Sequence, residues 1–110
     1  MEKIERKVID WKKTGIRLQR LRTNDMKLRR YVCWSLKYDA GECTGECAEC
    51  EYDIDASISR SELAAVLCTS ESVVFNWEKG KTPVGLEDLI MYSEITGRSL
   101  DDIIVYVKTK

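Results

Sequence analysis

Residues 59–83 read SRSELAAVLCTSESVVFNWEKGKTP, and the fold turns on how this stretch is read. Ser59 followed by Glu62 is a capping box. The hydroxyl accepts from the Glu62 N–H and the carboxylate accepts from the Ser59 N–H, which satisfies two orphan donors at a helix start. Leu63, Ala64 and Leu67 then recur as a buried helical stripe. Ser70 is placed to cap a second helix. Val73, Val74 and Trp77 face inward along it, and Glu71, Ser72 and Asn76 face outward. Gly80 is positioned to stop that helix in a left-handed conformation, and Pro83 marks the following turn. Two short helices crossing steeply need small residues where they meet, and Ala64 and Ala65 supply them.

The flanking sequence extends the helical pattern in both directions. Residues 86–96 place Leu86, Leu89, Ile90 and Ile95 at inward spacing, with Gly97 as the stop. Ser99 opens a last helix whose apolar residues are Ile103, Ile104 and Val107. Upstream, residues 14–23 put Ile16, Leu18 and Leu21 inward and Arg17, Arg20 and Arg22 outward. Residues 24–37 continue helically, with Asn24 or Thr23 as the cap. Ile4, Val8 and Trp11 are spaced for an amphipathic helix over 2–12, or for an arm that orders on binding. The expected architecture is all-α and a single domain over 1–110. It has an N-terminal extension at 1–13, an insertion at 24–58 and the two-helix unit at 59–80.

Composition narrows the function classes. The 110 residues suit one small domain, and 44% apolar content is enough for one core. No apolar run reaches roughly 18 residues, so no membrane partner is expected. The N-terminus mixes charges through its apolar residues and lacks the uninterrupted apolar stretch of a secretory signal. A cytoplasmic, reducing compartment is the expectation. The net charge of −1 hides a strong asymmetry. Residues 1–30 hold eleven Lys/Arg against four Asp/Glu, whereas residues 38–58 hold seven acids and no base. A basic N-terminal third suits phosphates, or equally forms a solvated helix face, while the acidic middle belongs off any phosphate-binding surface.

With these residues in place, the chain resembles the Cro/C1 (XRE) helix-turn-helix family. The resemblance rests on Ser59-x-x-Glu62-Leu63-Ala64, Ser70, Val74, Trp77-Glu78-x-Gly80-Lys81 and Pro83. Gly15-x-Arg17-Leu18-x-x-Leu21-Arg22 is similar to the family's first helix. Leu86-x-x-Leu89 and Gly97-x-Ser99-Leu100-Asp101 are similar to its fourth and fifth. The resemblance implies a five-helix, λ-repressor-like domain that binds double-stranded DNA with helix 70–79 in the major groove, commonly as a homodimer. By position it implies base reading by Glu71, Ser72 and Asn76 near the Ser70 cap. Arg60, Lys81 and Thr82 stand where the family contacts phosphates, and Arg22 and Glu78 where it places a buried ion pair. Two residues depart from the pattern. Cys68 stands where the family often has glycine, in a turn whose left-handed backbone strains other residues. Glu71 could accept from a cytosine amine but repels phosphate.

The family joins its first two helices with a few residues, whereas 35 residues separate Thr23 and Ser59 here. That insertion carries Cys33, Cys43, Cys47 and Cys50. Zinc takes four thiolates in a tetrahedron, and the short spacings over Cys43, Cys47 and Cys50 let turn residues converge on one ion. The chain has no histidine, so the set would be all thiolate. Metal binding would then supply the folding energy that an acidic, apolar-poor segment lacks. A disulfide or uncoordinated thiols, and an iron–sulfur cluster or redox sensor, are the alternatives. Cys68 reads as a small buried hydrophobe.

The sequence is compatible with three functions. A sequence-specific DNA-binding transcriptional regulator fits best. A protein-interaction module, such as an antitoxin or adaptor, would use the same fold on a protein partner, and a redox- or metal-responsive regulator would add control through the cysteines. An enzyme is not expected, because there is neither a histidine nor a glycine-rich phosphate loop.

Overall fold

The computed structural model describes residues 3–4, 6–38, 41 and 58–108. Among these the order is β1 (Lys7–Ile9), α1 (Trp11–Asn24), α2 (Met26–Cys33) with a π-helical turn at Trp34–Tyr38, α3 (Arg60–Val66), α4 (Glu71–Glu78), α5 (Leu86–Thr96), α6 (Leu100–Ile103) and β2 (Tyr106–Lys108). The helical class is as expected, and α1, α3, α4, α5 and α6 form the five-helix set with α2 added after the first helix.

The ends depart from the sequence reading. Residues 7–9 form a strand rather than part of a helix, and pair antiparallel with β2 in the register Val8↔Val107 and Ile9↔Tyr106. β-branched and aromatic residues on both segments suit an extended pairing. Residues 106–108 therefore leave the last helix, which is only four residues long. Val105 fastens the two ends. Its carbonyl accepts from the Asp10 N–H at 2.7 Å. Its N–H donates to the buried Thr14 hydroxyl at 3.0 Å. Ile4 is 97% exposed and Val8 39%, so neither packs as a helical stripe would require.

The junction of α1 and α2 also differs. Helix α1 runs through Asn24, and Asp25 rather than Thr23 or Asn24 caps α2, its carboxylate accepting from the Leu28 N–H at 2.9 Å. The Asp25 N–H in turn donates to the Leu21 carbonyl and closes α1.

The core gathers one face of each helix: Leu18 and Leu21 from α1, Leu28 and Val32 from α2, Leu63 and Ala64 from α3, Val74 and Trp77 from α4, Leu89 and Tyr92 from α5, and Ile103 from α6. Ile58 packs there as the chain enters α3. Three inward assignments fail, on two helices. Ile16 is exposed, and Arg22 of the same helix is buried in its place. On α5, Leu86 and Ile90 are exposed while Tyr92 and Thr96 are buried. The packed row of α5 is Leu89, Tyr92 and Thr96, and the residues a quarter-turn away stay in solvent.

Helices α1 and α4 touch at backbone distance. A Cβ on Gly15 would stand 2.4 Å from the Trp77 carbonyl oxygen and 2.5 Å from that of Glu78. Gly80, at φ 71°, lies against the Lys12 backbone in the same seam. No side chain fits in either place, so these glycines set how α4 lies on the molecule.

Candidate nucleic-acid interface

The unit is built from its caps inward. The Ser59 hydroxyl accepts from the Glu62 N–H at 3.0 Å, and the Glu62 carboxylate accepts from the Ser59 N–H at 2.9 Å, which completes the capping box. Helix α3 buries Leu63 and Ala64 and leaves Ala65 exposed. Its end is the tight turn at Leu67–Thr69. Cys68 has φ 57°, the one positive-φ residue other than glycine among the described residues. The Thr69 N–H donates back to the Ala64 carbonyl at 2.9 Å across that turn. Cys68 is exposed rather than buried, which corrects the small-hydrophobe reading. A left-handed backbone turns its side chain away from the helix–helix contact. The Ser70 hydroxyl then accepts from the Val73 N–H at 3.3 Å and starts α4.

Helix α4 has two faces. Val74, Trp77 and Glu78 are buried, while Glu71 and Ser72 are exposed and Asn76 is half-buried. Lys81 and Thr82 follow in solvent. The residues proposed from sequence to read bases therefore share the outer side of one helix. Those proposed to hold phosphates flank it at the start of α3 and just past the end of α4.

Behind this face lies a buried charge network. Arg22 Nε donates to Glu78 Oε2 at 2.7 Å and Arg22 Nη2 to Oε1 at 3.1 Å. The remaining fork, Nη1, reaches the Ile58 carbonyl at 2.8 Å. This is the ion pair expected for Arg22 and Glu78. Bidentate geometry with every fork satisfied is what makes such a buried pair tolerable. Sequence reasoning missed a third member. Arg60 Nε donates to Glu78 Oε1 at 2.8 Å, with a quarter of its side chain exposed. One carboxylate thus serves two guanidiniums, and the site keeps an excess positive charge.

Phe75 was not among the sequence candidates either. The Arg60 guanidinium lies over its ring at 5.1 Å, and the Lys79 and Lys81 ammonium groups lie at 5.6 and 5.3 Å from its centroid. Stacking on an aromatic face holds long cationic side chains together at modest entropic cost. The four-residue step from Phe75 to Lys79 was a legible signal for part of this cluster. Arg60 joins it only through the crossing of α3 and α4.

Tyr92 sits beneath the network. Its hydroxyl is buried with no hydrogen-bond partner among the described residues. Burial first, and then the Glu78 charge, push its pKa upward. Asp88, on the first turn of α5, is also raised, by partial burial and then by Glu87 beside it.

Cys43, Cys47 and Cys50 lie outside the described residues, and Cys33 is half-buried at the end of α2. Among the described residues no three metal-ligating side chains come together, and no helix is long and apolar enough to cross a membrane.

Residues 55–103 match the model of a family described as Helix-turn-helix. The matched stretch spans α3 through α6. No curated protein and no solved structure gave a significant match to the chain.

Proposed function

Because residues 55–103 carry a helix-turn-helix domain of the Cro/C1 type, we propose that this protein is a sequence-specific DNA-binding transcriptional regulator with α4 in the major groove. The observation that carries the reading is the outer row of exposed Glu71 and Ser72 and half-buried Asn76 beside the positive cluster of Arg60, Lys79 and Lys81 around Phe75. Base edges are read by short polar side chains near the start of a recognition helix, and flanking cations fix its register on the backbone. In this reading Asn76 bridges an adenine edge, Glu71 accepts from a cytosine amine and Ser72 contributes little discrimination. Arg60, Lys81 and Thr82 hold phosphates, and the Ser70 end of α4 adds its helix dipole.

Selection from random duplex DNA tests this directly. An enriched motif is expected, and Asn76→Ala should relax one position of it. Lys81→Gln should weaken all sequences alike and lower the salt slope by about one. Absence of any enriched motif would overturn the reading.

A homodimer would pair two half-sites roughly one helical turn apart. The β1–β2 ribbon is our candidate contact, because Val8 and Val107 face each other in register and remain 39% and 44% exposed. A zinc ion held by Cys33, Cys43, Cys47 and Cys50 is proposed from their number and spacing alone, and a redox-responsive role for the same thiols is the alternative. The acidic Glu71 at the head of α4 favours a second reading, in which the helix-turn-helix face meets a protein, as in an antitoxin or adaptor. Co-purification of a stoichiometric protein partner, with no selected DNA motif, would decide for it.

A further inference from the structure

Across α1 from the recognition helix lies a pocket of about 290 Å³ lined by Arg17, Arg20, Leu21, Asn24, Asp25, Arg98 and Asp102. Its wall comes from α1 from Arg17 onward, the α1–α2 junction, the α5–α6 link and α6, with no residue of α3 or α4. At roughly 100° per residue, Gly15 and Arg22 point one way from α1, and Arg17, Arg20 and Asn24 point roughly 140–180° away. The pocket therefore does not share the candidate DNA-binding face.

Its charges are arranged rather than cancelled. Three guanidiniums meet two carboxylates among the lining residues. Asp25 is largely spent within the fold, since Oδ1 accepts from the Leu28 N–H at 2.9 Å and Oδ2 accepts from Arg98 Nε at 3.3 Å. Arg17 is steered by a carbonyl, not a carboxylate: its Nη1 donates to the Asp102 backbone oxygen at 2.9 Å. Arg20 makes no ion pair among the described residues, and the Lys27 ammonium stands by Gly97, next to Arg98. Anchoring by one donor each leaves the other guanidinium donors of Arg17 and Arg98 for a ligand. Planar forks match the two oxygens of a carboxylate or phosphate. The volume is at the small end of ligand sites, and Asn24 and the Asp102 carboxylate offer partners for hydroxyl groups.

We infer that this pocket binds a small, hydroxyl-bearing anion of the phosphomonoester or polycarboxylate class. The anion is held by Arg17, Arg20 and Arg98 and contacts no part of the recognition helix. The inference does not depend on DNA binding, and its readout is separate. Isothermal titration of the full chain with inorganic phosphate and with citrate separates the two anion types, with chloride at equal ionic strength as the control. Saturable binding of one of them is expected, with a tenfold or greater loss in an Arg20→Gln, Arg98→Gln double variant whose melting is unchanged. If the double variant melts lower, Arg20→Lys replaces it: charge is kept but the fork is lost, so affinity should still fall. No saturable binding of either probe, or equal binding by wild type and variant, would overturn the inference. So would a lower salt slope of DNA binding in the variant, since that would place these arginines on DNA phosphates instead.

Discussion

Glu78 shows at the residue scale how one side chain joins stability to the surface. It receives Arg22 from within and Arg60 from the rim, so the charge that holds α1 against α4 also aims a cation outward. Removing the carboxylate strands a buried guanidinium, and Glu78→Ala should cost about 3–5 kcal/mol in denaturant unfolding. Cys68 offers the opposite case. A left-handed non-glycine residue costs about 1–2 kcal/mol, and glycine returns about 0.5–1 kcal/mol of that as lost chain entropy. Cys68→Gly should therefore stabilise the fold by up to about 1 kcal/mol, read as a higher denaturant midpoint at unchanged slope. Tyr92 predicts the behaviour at high pH. Its folded pKa lies above the ordinary 10.0, so the folded chain keeps a proton that the unfolded chain gives up. Its contribution is full below pH 10.0 and is lost as the pH rises beyond it. Phenolate absorbance should show one of the five tyrosines ionising only on alkaline unfolding. Tyr92→Phe should abolish that late step and gain about 1 kcal/mol at neutral pH, because it removes an unpartnered buried hydroxyl.

At the scale of elements, the caps from α3 onward were legible, the α2 cap and the packing faces less so. The capping box, the Ser70 cap and the Gly80 and Gly97 stops stand where the sequence places them, because each is a local bargain among four or five neighbouring residues. The inward face of α5 was misjudged at Leu86 and Ile90, since apolar spacing alone offers several overlapping stripes and the neighbouring helices choose among them. The strands were missed because three residues are too few to show a period, and each strand has its partner at the other end of the chain. Ser59→Ala should lower stability by about 1 kcal/mol through the lost cap. Gly15→Ala should cost about 3 kcal/mol or more, because its methyl would meet two carbonyl oxygens of α4. Thermal unfolding followed by circular dichroism measures both.

For the whole molecule, the charge asymmetry of the sequence is folded into separate surfaces. Arg22 goes to the core, Arg17 and Arg20 to the pocket, and Arg60, Lys79 and Lys81 to the face of α4. A basic segment read along the chain is therefore not one basic patch. The cysteine-bearing insertion opens with α2, which packs on α5 and α3. If it holds zinc, reduced protein should contain about one zinc per chain, and Cys47→Ser should abolish binding measured by atomic absorption. Protein purified under reducing conditions without metal would remove the zinc proposal and leave the helix-turn-helix reading intact.

What the sequence determined by itself was the helical class, the position of the two-helix unit, its caps and the Arg22–Glu78 pair. Capping and periodicity are encoded within a few residues of where they act, and the pair is implied by a resemblance carried on contiguous motifs. Only the tertiary structure decided that Arg60 shares Glu78 and lies over Phe75, that the two chain ends pair as strands, and that Arg98 joins Arg17 and Arg20 in one pocket. Each of these joins residues far apart in the chain, and their meeting depends on the angles at which whole helices cross.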